Sequence, residues 1–180
     1  MIWQSHRIIT GISVFLLSQN FPAALFAVSG SVFPDTLDLT LGLKHRKTSH
    51  WFVLYVIPLL TVGFFLFHGW FIPHSFDYLV FFRTFSLSDF ILAILLNWIF
   101  WFLVGCLFHI VEDLCTGYIP LRSPSDSFSM GRLFYTGSQK ENFCVLSFCL
   151  IGFIVTAFRF VSGSFASVFY THLRAHETSA

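Results

Sequence analysis

Three long apolar runs constrain this chain more than any other feature of its sequence. They extend from Trp51 to Pro73, from Asp89 to Val111 and from Phe143 to about Val161. Each run is close to the 20 or so residues that an α-helix needs to cross a bilayer. A soluble core could not bury this much apolar surface, because the 180 residues include 26 Phe and only 11% are charged. The runs therefore predict an all-α membrane protein with about three transmembrane helices.

Composition also limits the organisation and the partners of the chain. The net charge is +1, which provides no electrostatic surface for nucleic acid, so none is expected as a partner. No flexible linker or low-complexity tract divides the sequence. We therefore predict a single integral membrane domain over residues 1–180, with the lipid bilayer as its first partner.

The N-terminal apolar region, from Ile8 to Phe33, is interrupted near its middle. The segment Ser18-Gln19-Asn20-Phe21-Pro22 introduces polar residues and a proline, and proline disfavours helix immediately before it. We predict two short helices, about Trp3–Leu17 and Pro22–Phe33, joined by a tight turn. This pair would form a re-entrant helical hairpin that enters and leaves the membrane on one side.

The hairpin determines where His6 lies. One continuous span would leave His6 roughly 40 Å from Asp35, whereas a hairpin brings the two residues together. A cleavable signal peptide is the alternative interpretation, because Ala27-Val28-Ser29-Gly30 offers the small residues of a cleavage site.

The distribution of basic residues predicts the orientation. With the hairpin, the N-terminus and the segments 34–50 and 112–142 share one face, which carries most of the Lys and Arg. By the positive-inside rule this face is cytoplasmic. Its basic residues are Arg7, Lys44, Arg46, Lys47, Arg122, Arg132 and Lys140, against Arg83, Arg159 and Arg174 on the other side.

Histidines and acidic residues gather on the same face. Ionisable groups at or near membrane depth are costly, and they usually serve a function. A mixture of imidazole and carboxylate ligands suits Zn, Mn or Fe, so we predict a site for one or two divalent metal ions. The predicted ligands are His6, Asp35, Asp38, His45, His50, His109 and Asp113.

Each motif also has a simpler interpretation. His109 and Asp113 are four residues apart, so one helical face presents both, as ligands or as a polar contact at a helix end. Asp35 and Asp38 follow Pro34, where they could bind two ions or be solvated carboxylates after a helix stop. The segment from His45 to His50 could supply ligands or bind lipid headgroups.

Two further residues are candidates for catalysis. A metal-bound water becomes hydroxide near neutral pH, and two metals can hold both nucleophile and substrate. Arg46 could then bind a phosphate oxygen, and Glu112 is a candidate general base. His68 and His74 lie on or near the opposite face, and we assign them no role in the site.

The order of these motifs resembles the YdjM-type family of bacterial inner-membrane-associated metal-dependent hydrolases. Its pattern is an N-terminal histidine, G-x-x-x-PD-x-D, HR-x-x-[ST]-H, G-x-x-x-H-x-x-x-D and a G-x-x-x-E segment that opens the last helix. The resemblance implies metal chemistry in a multi-pass protein of the inner membrane, and names no substrate. The matching positions are His6, Gly30–Asp38, His45–His50, Gly105–Asp113, Thr116, Gly117, Pro120 and Gly137–Glu141.

Motifs and resemblance together predict a membrane-embedded metal-dependent hydrolase that acts at the cytoplasmic face on a phosphoester or lipid-derived substrate. The alternative is a non-catalytic protein in which the metal or polar cluster holds helices together. In that case the basic, Ser-rich segment Arg122–Arg132 would dock a protein partner. A transporter is less favoured, because Asn97 is nearly the only polar residue within the spans.

Overall fold

The fold is built from α-helices. The computed structural model describes residues 1–66, 87–129, 131 and 133–177, and none of these residues belongs to a β-strand. The all-α prediction is therefore confirmed for the described part of the chain. The helices are α1 (Trp3–Ser18), α2 (Phe21–Gly30), α3 (Phe33–Leu41), α4 (Val53–Phe65), α5 (Leu87–Leu114) and α6 (Gln139–Glu177), with a 3-10 turn at Thr48–His50.

Two helices are long and apolar enough to cross a membrane. They are Ile91–Leu114 of α5 and Gln139–Ser162 of α6. Only 6% of the most apolar stretch of α6 is buried within the molecule, so its apolar side chains face outwards, unlike those of a soluble core helix. The predicted span Trp51–Pro73 contains α4, of 13 residues, and continues beyond the described residues. His68, His74, Arg83 and Arg132 also lie outside them.

The N-terminal region breaks into two helices where the sequence predicted. Gln19 ends α1 in the left-handed conformation, with φ of 53°. Asn20 then caps α2, because its side chain accepts a hydrogen bond of 3.1 Å from the Ala23 N–H. Arg159 of α6 donates to the Leu16 carbonyl at 2.7 Å, which places the turn beside the distal part of α6.

The segment after α2 differs from the prediction. Residues 34–50 were predicted to be a loop after a helix stop at Pro34, whereas the structure begins this segment with a third helix, α3. Pro34 lies in the first turn of α3, where a missing N–H and a fixed φ cost nothing. Gly42 ends the helix with φ of +62°. Asp35 and Asp38 are therefore held on one helix, about one turn apart.

Helix α2 packs closely between α1 and α5. A β-carbon at Gly105 of α5 would overlap the Ala27 carbonyl, and one at Gly30 would overlap the Phe102 carbonyl. The two backbones can approach this closely only because both positions are glycine. This crossing brings the end of α2, with Ser31, beside His109 of α5.

The start of α6 is attached to the N-terminus of the chain. The Ser138 hydroxyl accepts from the Glu141 N–H at 3.3 Å and so caps the first turn of the helix. The Glu141 carboxylate accepts from the Gly137 N–H at 2.7 Å and from the Ile2 N–H at 2.9 Å. Ile2 is therefore level with the start of α6, close to the end of α5.

Candidate metal centre

Two overlapping groups of His and Asp side chains lie where α3, the 3-10 turn and α5 meet. Within each group, one ligand atom from every residue lies within 4.8 Å of the others. Asp35 and His50 belong to both. The buried group is Asp35, His50, His109 and Asp113, and the open group is Asp35, Asp38, His45 and His50.

His109 presents one ring nitrogen to the centre of the buried group. Its Nδ1 lies 2.6 Å from the Ser31 carbonyl oxygen, which can only accept a hydrogen bond. Nδ1 therefore carries the proton, and the lone pair of Nε2 points inwards. A hydrogen bond from the second nitrogen is the usual way in which proteins fix the ring of a metal-binding histidine.

His50 is fixed in the same manner. Its Nδ1 lies 2.9 Å from the Ser49 hydroxyl, which donates a short hydrogen bond to Asp38. Since that hydroxyl proton goes to Asp38, the hydroxyl oxygen accepts from His50 Nδ1. The Nε2 of His50 consequently faces the Nε2 of His109, at 3.1 Å.

Two carboxylate oxygens complete the buried group. Asp35 Oδ1 lies 3.3 Å from His50 Nε2 and 3.4 Å from His109 Nε2. Asp113 Oδ2 lies 3.4 Å and 3.8 Å from the same two nitrogens. Trp3 fixes Asp35, because its indole N–H donates to the other carboxylate oxygen at 2.9 Å.

This arrangement fits a divalent cation. In these tautomers four electron-pair donors converge and none of them carries a proton, so their mutual repulsion is relieved by a positive ion between them. Burial raises the pKa of Asp35, but the His109 and His50 rings outweigh burial and hold it below its ordinary value. Burial alone would lower the pKa of His50, but the Asp113 and Asp35 carboxylates outweigh burial and raise this pKa above its ordinary value. Both shifts arise from the close approach of the carboxylates to the imidazole rings.

The open group extends the centre towards the surface. His45 Nδ1 lies 3.1 Å from Asp38 Oδ2 and 3.5 Å from Asp35 Oδ1, and 59% of its side chain is exposed. The Arg46 N–H also donates to Asp38, at 3.3 Å. A cavity of about 590 Å³ reaches Asp35, Asp38 and His45 from outside, and its remaining wall is formed by Met1, Trp3, Leu39, Gly42 and Leu43.

His6 and Glu112 form a buried pair behind the buried group. The His6 and His109 rings have centroids 4.0 Å apart, so the predicted approach of His6 to the cluster is present in the structure. His6 Nδ1 donates to Glu112 at 2.6 Å, and the Thr10 hydroxyl donates to the second Glu112 oxygen at 3.0 Å. His6 Nε2 is then 3.4 Å from Asp113. Glu112 therefore orients His6. Both of its carboxylate oxygens accept hydrogen bonds, one from His6 and one from Thr10.

Arg46 lies beside Asp113 and has an unusual backbone conformation. Its guanidinium contacts both Asp113 oxygens, at 2.9 Å and 3.0 Å, and Thr116 at 2.9 Å. Its φ of 59° is rare for a residue with a β-carbon, and such strain concentrates at functional sites. The Met1 amino group contacts the same carboxylate at 3.0 Å. Asp113 is thus held from two sides by cations.

The structure brings all nine sequence-predicted site residues into or against this one region, and adds others that the sequence did not indicate. The additional residues are polar groups that orient ligands. They lie far from their partners in sequence and match no spacing pattern, so only the fold reveals them. They are Trp3, Thr10, Ser31, Ser49 and Thr116.

Comparison of the chain with protein-family models, with curated proteins and with solved structures gives no match.

Proposed function

We propose that this chain is a membrane-embedded metal-dependent hydrolase that acts at the cytoplasmic face of a bacterial inner membrane, on a phosphoester or lipid-derived substrate. The observation that carries the proposal is that the centre is closed on one side and accessible on the other. His109 and Asp113 are buried, whereas His45 is 59% exposed beside a cavity. Structural metal sites are closed, and catalytic sites keep an accessible position.

Several features support the membrane topology in this proposal. Two helices have the length and apolarity of membrane spans. α1 and α2 would form the re-entrant hairpin, and the apolar run that begins with α4 would supply the third crossing. The bias of Lys and Arg towards the face of the centre gives the cytoplasmic orientation. Kinship with the YdjM-type family, suggested by motif order, agrees with the same assignment.

The residues divide into ligands and orienting groups. Bound Zn, Mn or Fe would supply a Lewis acid and a water of lowered pKa. His50, His109, Asp35 and Asp113 would hold the first ion, and Asp38 with His45 would complete a second site that shares Asp35 and His50. Ser31, Ser49 and Trp3 orient these ligands, and Glu112 with Thr10 orients His6.

A second cavity next to the centre suits a phosphate group. It has a volume of about 250 Å³ and is lined on one side by His45, Arg46 and Lys47. Gly117 leaves room for the Arg46 guanidinium, which a β-carbon at this position would overlap. Cationic donors around a small cavity favour the oxygens of a phosphoester.

The test is hydrolysis of bis(p-nitrophenyl) phosphate by detergent-purified protein loaded with Zn, Mn or Fe. We expect turnover that falls at least about 100-fold in Asp35→Asn, because a ligand shared by both groups is weakened. Thr40→Val is the control, since Thr40 is exposed on the same helix as Asp35 and its hydroxyl donates only to the Thr36 and Leu37 carbonyls. Equal rates in both variants would contradict a hydrolase.

The second candidate is a structural metal site in a protein that binds a partner through the basic, Ser-rich segment Arg122–Arg132. The dense hydrogen bonding of the buried group favours it, because a closed, fully oriented site stabilises a fold. Thermal unfolding distinguishes the structural site from the catalytic one. A structural site predicts that Asp35→Asn lowers the melting temperature together with metal content, whereas a catalytic site predicts loss of turnover in a protein that stays folded.

A further inference from the structure

The open side of the centre lies at the depth where the two membrane spans end. α5 ends at Leu114, one residue after Asp113, and α6 begins at Gln139. The N-terminus connects these two points, because the Met1 amino group contacts Asp113 at 3.0 Å and the Ile2 N–H donates to Glu141 at 2.9 Å. The interfacial region of the bilayer, which contains lipid phosphates, is located where membrane spans end.

The wall of the open cavity is apolar on the side away from the ligands. Leu39 is 74% exposed and Trp3 is 41% exposed, and both line the cavity together with Leu43. Exposed large apolar side chains are unfavourable in water and mark a surface that meets a membrane or a ligand. Tryptophan is enriched at the membrane–water interface, which agrees with the depth of this cavity.

The opposite flank is polar and carries two basic residues, Arg46 and Lys47, together with the acidic Asp126. His45 borders both cavities, so one side chain separates the apolar wall from this second cavity. The centre therefore lies between an apolar surface and a polar surface with two basic residues. A molecule that fills both must be amphiphilic, with a phosphate joined to an apolar part.

We propose that the substrate is a phosphoester of a bilayer lipid, whose apolar part contacts Leu39, Leu43 and Trp3 while its phosphate lies at the centre. This inference rests on the proposed hydrolase function and specifies its substrate class. Hydrolysis adds water across one P–O ester bond, so that the phosphorus gains the hydroxyl group and the leaving alcohol gains the proton. Lipid reaches the cavity laterally from the bilayer.

The experiment compares two substrates and one pair of leucine variants. Metal-loaded protein is assayed with dioleoyl phosphatidylglycerol in nanodiscs and with bis(p-nitrophenyl) phosphate in solution. Leu39→Gln changes the cavity wall, and Leu41→Gln is the control, because Leu41 is 63% exposed on the same helix and does not line the cavity. We expect Leu39→Gln to lower the ratio of lipid to soluble turnover about tenfold, and Leu41→Gln to leave it unchanged.

Binding provides a readout that does not depend on turnover. The affinity of the same protein for a non-hydrolysable phosphonate analogue of dioleoyl phosphatidylglycerol should fall about tenfold in Leu39→Gln and remain unchanged in Leu41→Gln. Soluble turnover without lipid turnover, or equal lipid binding by both variants, would overturn the lipid assignment and leave the hydrolase intact. Loss of both activities in metal-loaded protein would instead overturn the proposed function.

Discussion

The buried group and the open group share two ligands, Asp35 and His50, yet they differ in how the remaining ligands are held. In the buried group, His109 is fixed by a backbone carbonyl and Asp113 by Arg46 and the Met1 amino group. In the open group, His45 is mostly exposed, and its contacts in the centre are the carboxylates themselves. Oriented ligands bind an ion tightly, whereas a free ring adapts and admits substrate. The difference therefore predicts one tight and one exchangeable ion.

The largest expected effect comes from removing a ligand of the buried group. His109→Ala should weaken the tighter ion by more than about 100-fold, beyond what loss of an outer hydrogen-bond partner costs. Metal titration followed by calorimetry measures this affinity. Val111→Ala is the control, because Val111 is 60% exposed on the same helix. If His109→Ala left the metal affinity unchanged, the buried group would not be the tighter of the two metal sites.

The second effect should be confined to the open group. His45→Ala is expected to abolish binding of the weaker ion and to leave the tighter one within about threefold of wild type, because His109 and Asp113 do not contact His45 in either group. The number of ions bound per chain, measured by calorimetry, distinguishes loss of the weaker ion from loss of the tighter one. Lys44→Ala is the control, because Lys44 is exposed and immediately precedes His45 in the sequence. Simultaneous loss of both ions would show that the two groups form one site.

A smaller effect should distinguish the two roles considered for Glu112. Glu112 orients His6, which in turn contacts the ligand Asp113, so Glu112→Gln should lower metal affinity about tenfold, the lower end of the effect of changing a direct partner of a ligand. Thr10→Val should act in the same direction with a smaller effect, since one hydrogen bond to Glu112 is lost. A fall in kcat with unchanged metal affinity would instead indicate that Glu112 is a general base.

The smallest effect concerns Trp3. Trp3→Phe removes the indole donor to Asp35 and keeps an aromatic ring, so metal affinity should fall about threefold to tenfold, which corresponds to about 0.5–1.5 kcal/mol. Trp98→Phe is the control, because Trp98 is 41% exposed on α5 and belongs to neither group. An equal change in both variants would mean that the hydrogen bond to Asp35 does not affect the centre.

Local spacing in the sequence was enough to predict part of the centre. His109 and Asp113 are four residues apart, and the helix places both towards Asp35. The polar break at Gln19 and Asn20 correctly predicted two N-terminal helices, and with them the approach of His6. Such features depend on neighbours in sequence, and a pattern can therefore reveal them.

The remaining features depend on contacts between distant residues. Helix α3 was missed because Pro34 was interpreted as the end of a helix, whereas it lies in the first turn of the next one. The orientation of Glu112 depends on Thr10, more than 100 residues earlier in the chain. The carbonyl of Ser31, which sets the tautomer of His109, has no sequence signature, because every residue has a carbonyl.

The most direct test of the shared centre is elemental analysis of detergent-purified wild-type protein beside Asp35→Ala, His109→Ala and the control Asp126→Ala. We expect one or two equivalents of Zn, Mn or Fe in the wild type and in Asp126→Ala. We expect loss of the metal in both Asp35→Ala and His109→Ala, because the buried group needs both side chains. Wild-type protein without metal, or full metal content in either ligand variant, would contradict a shared metal centre.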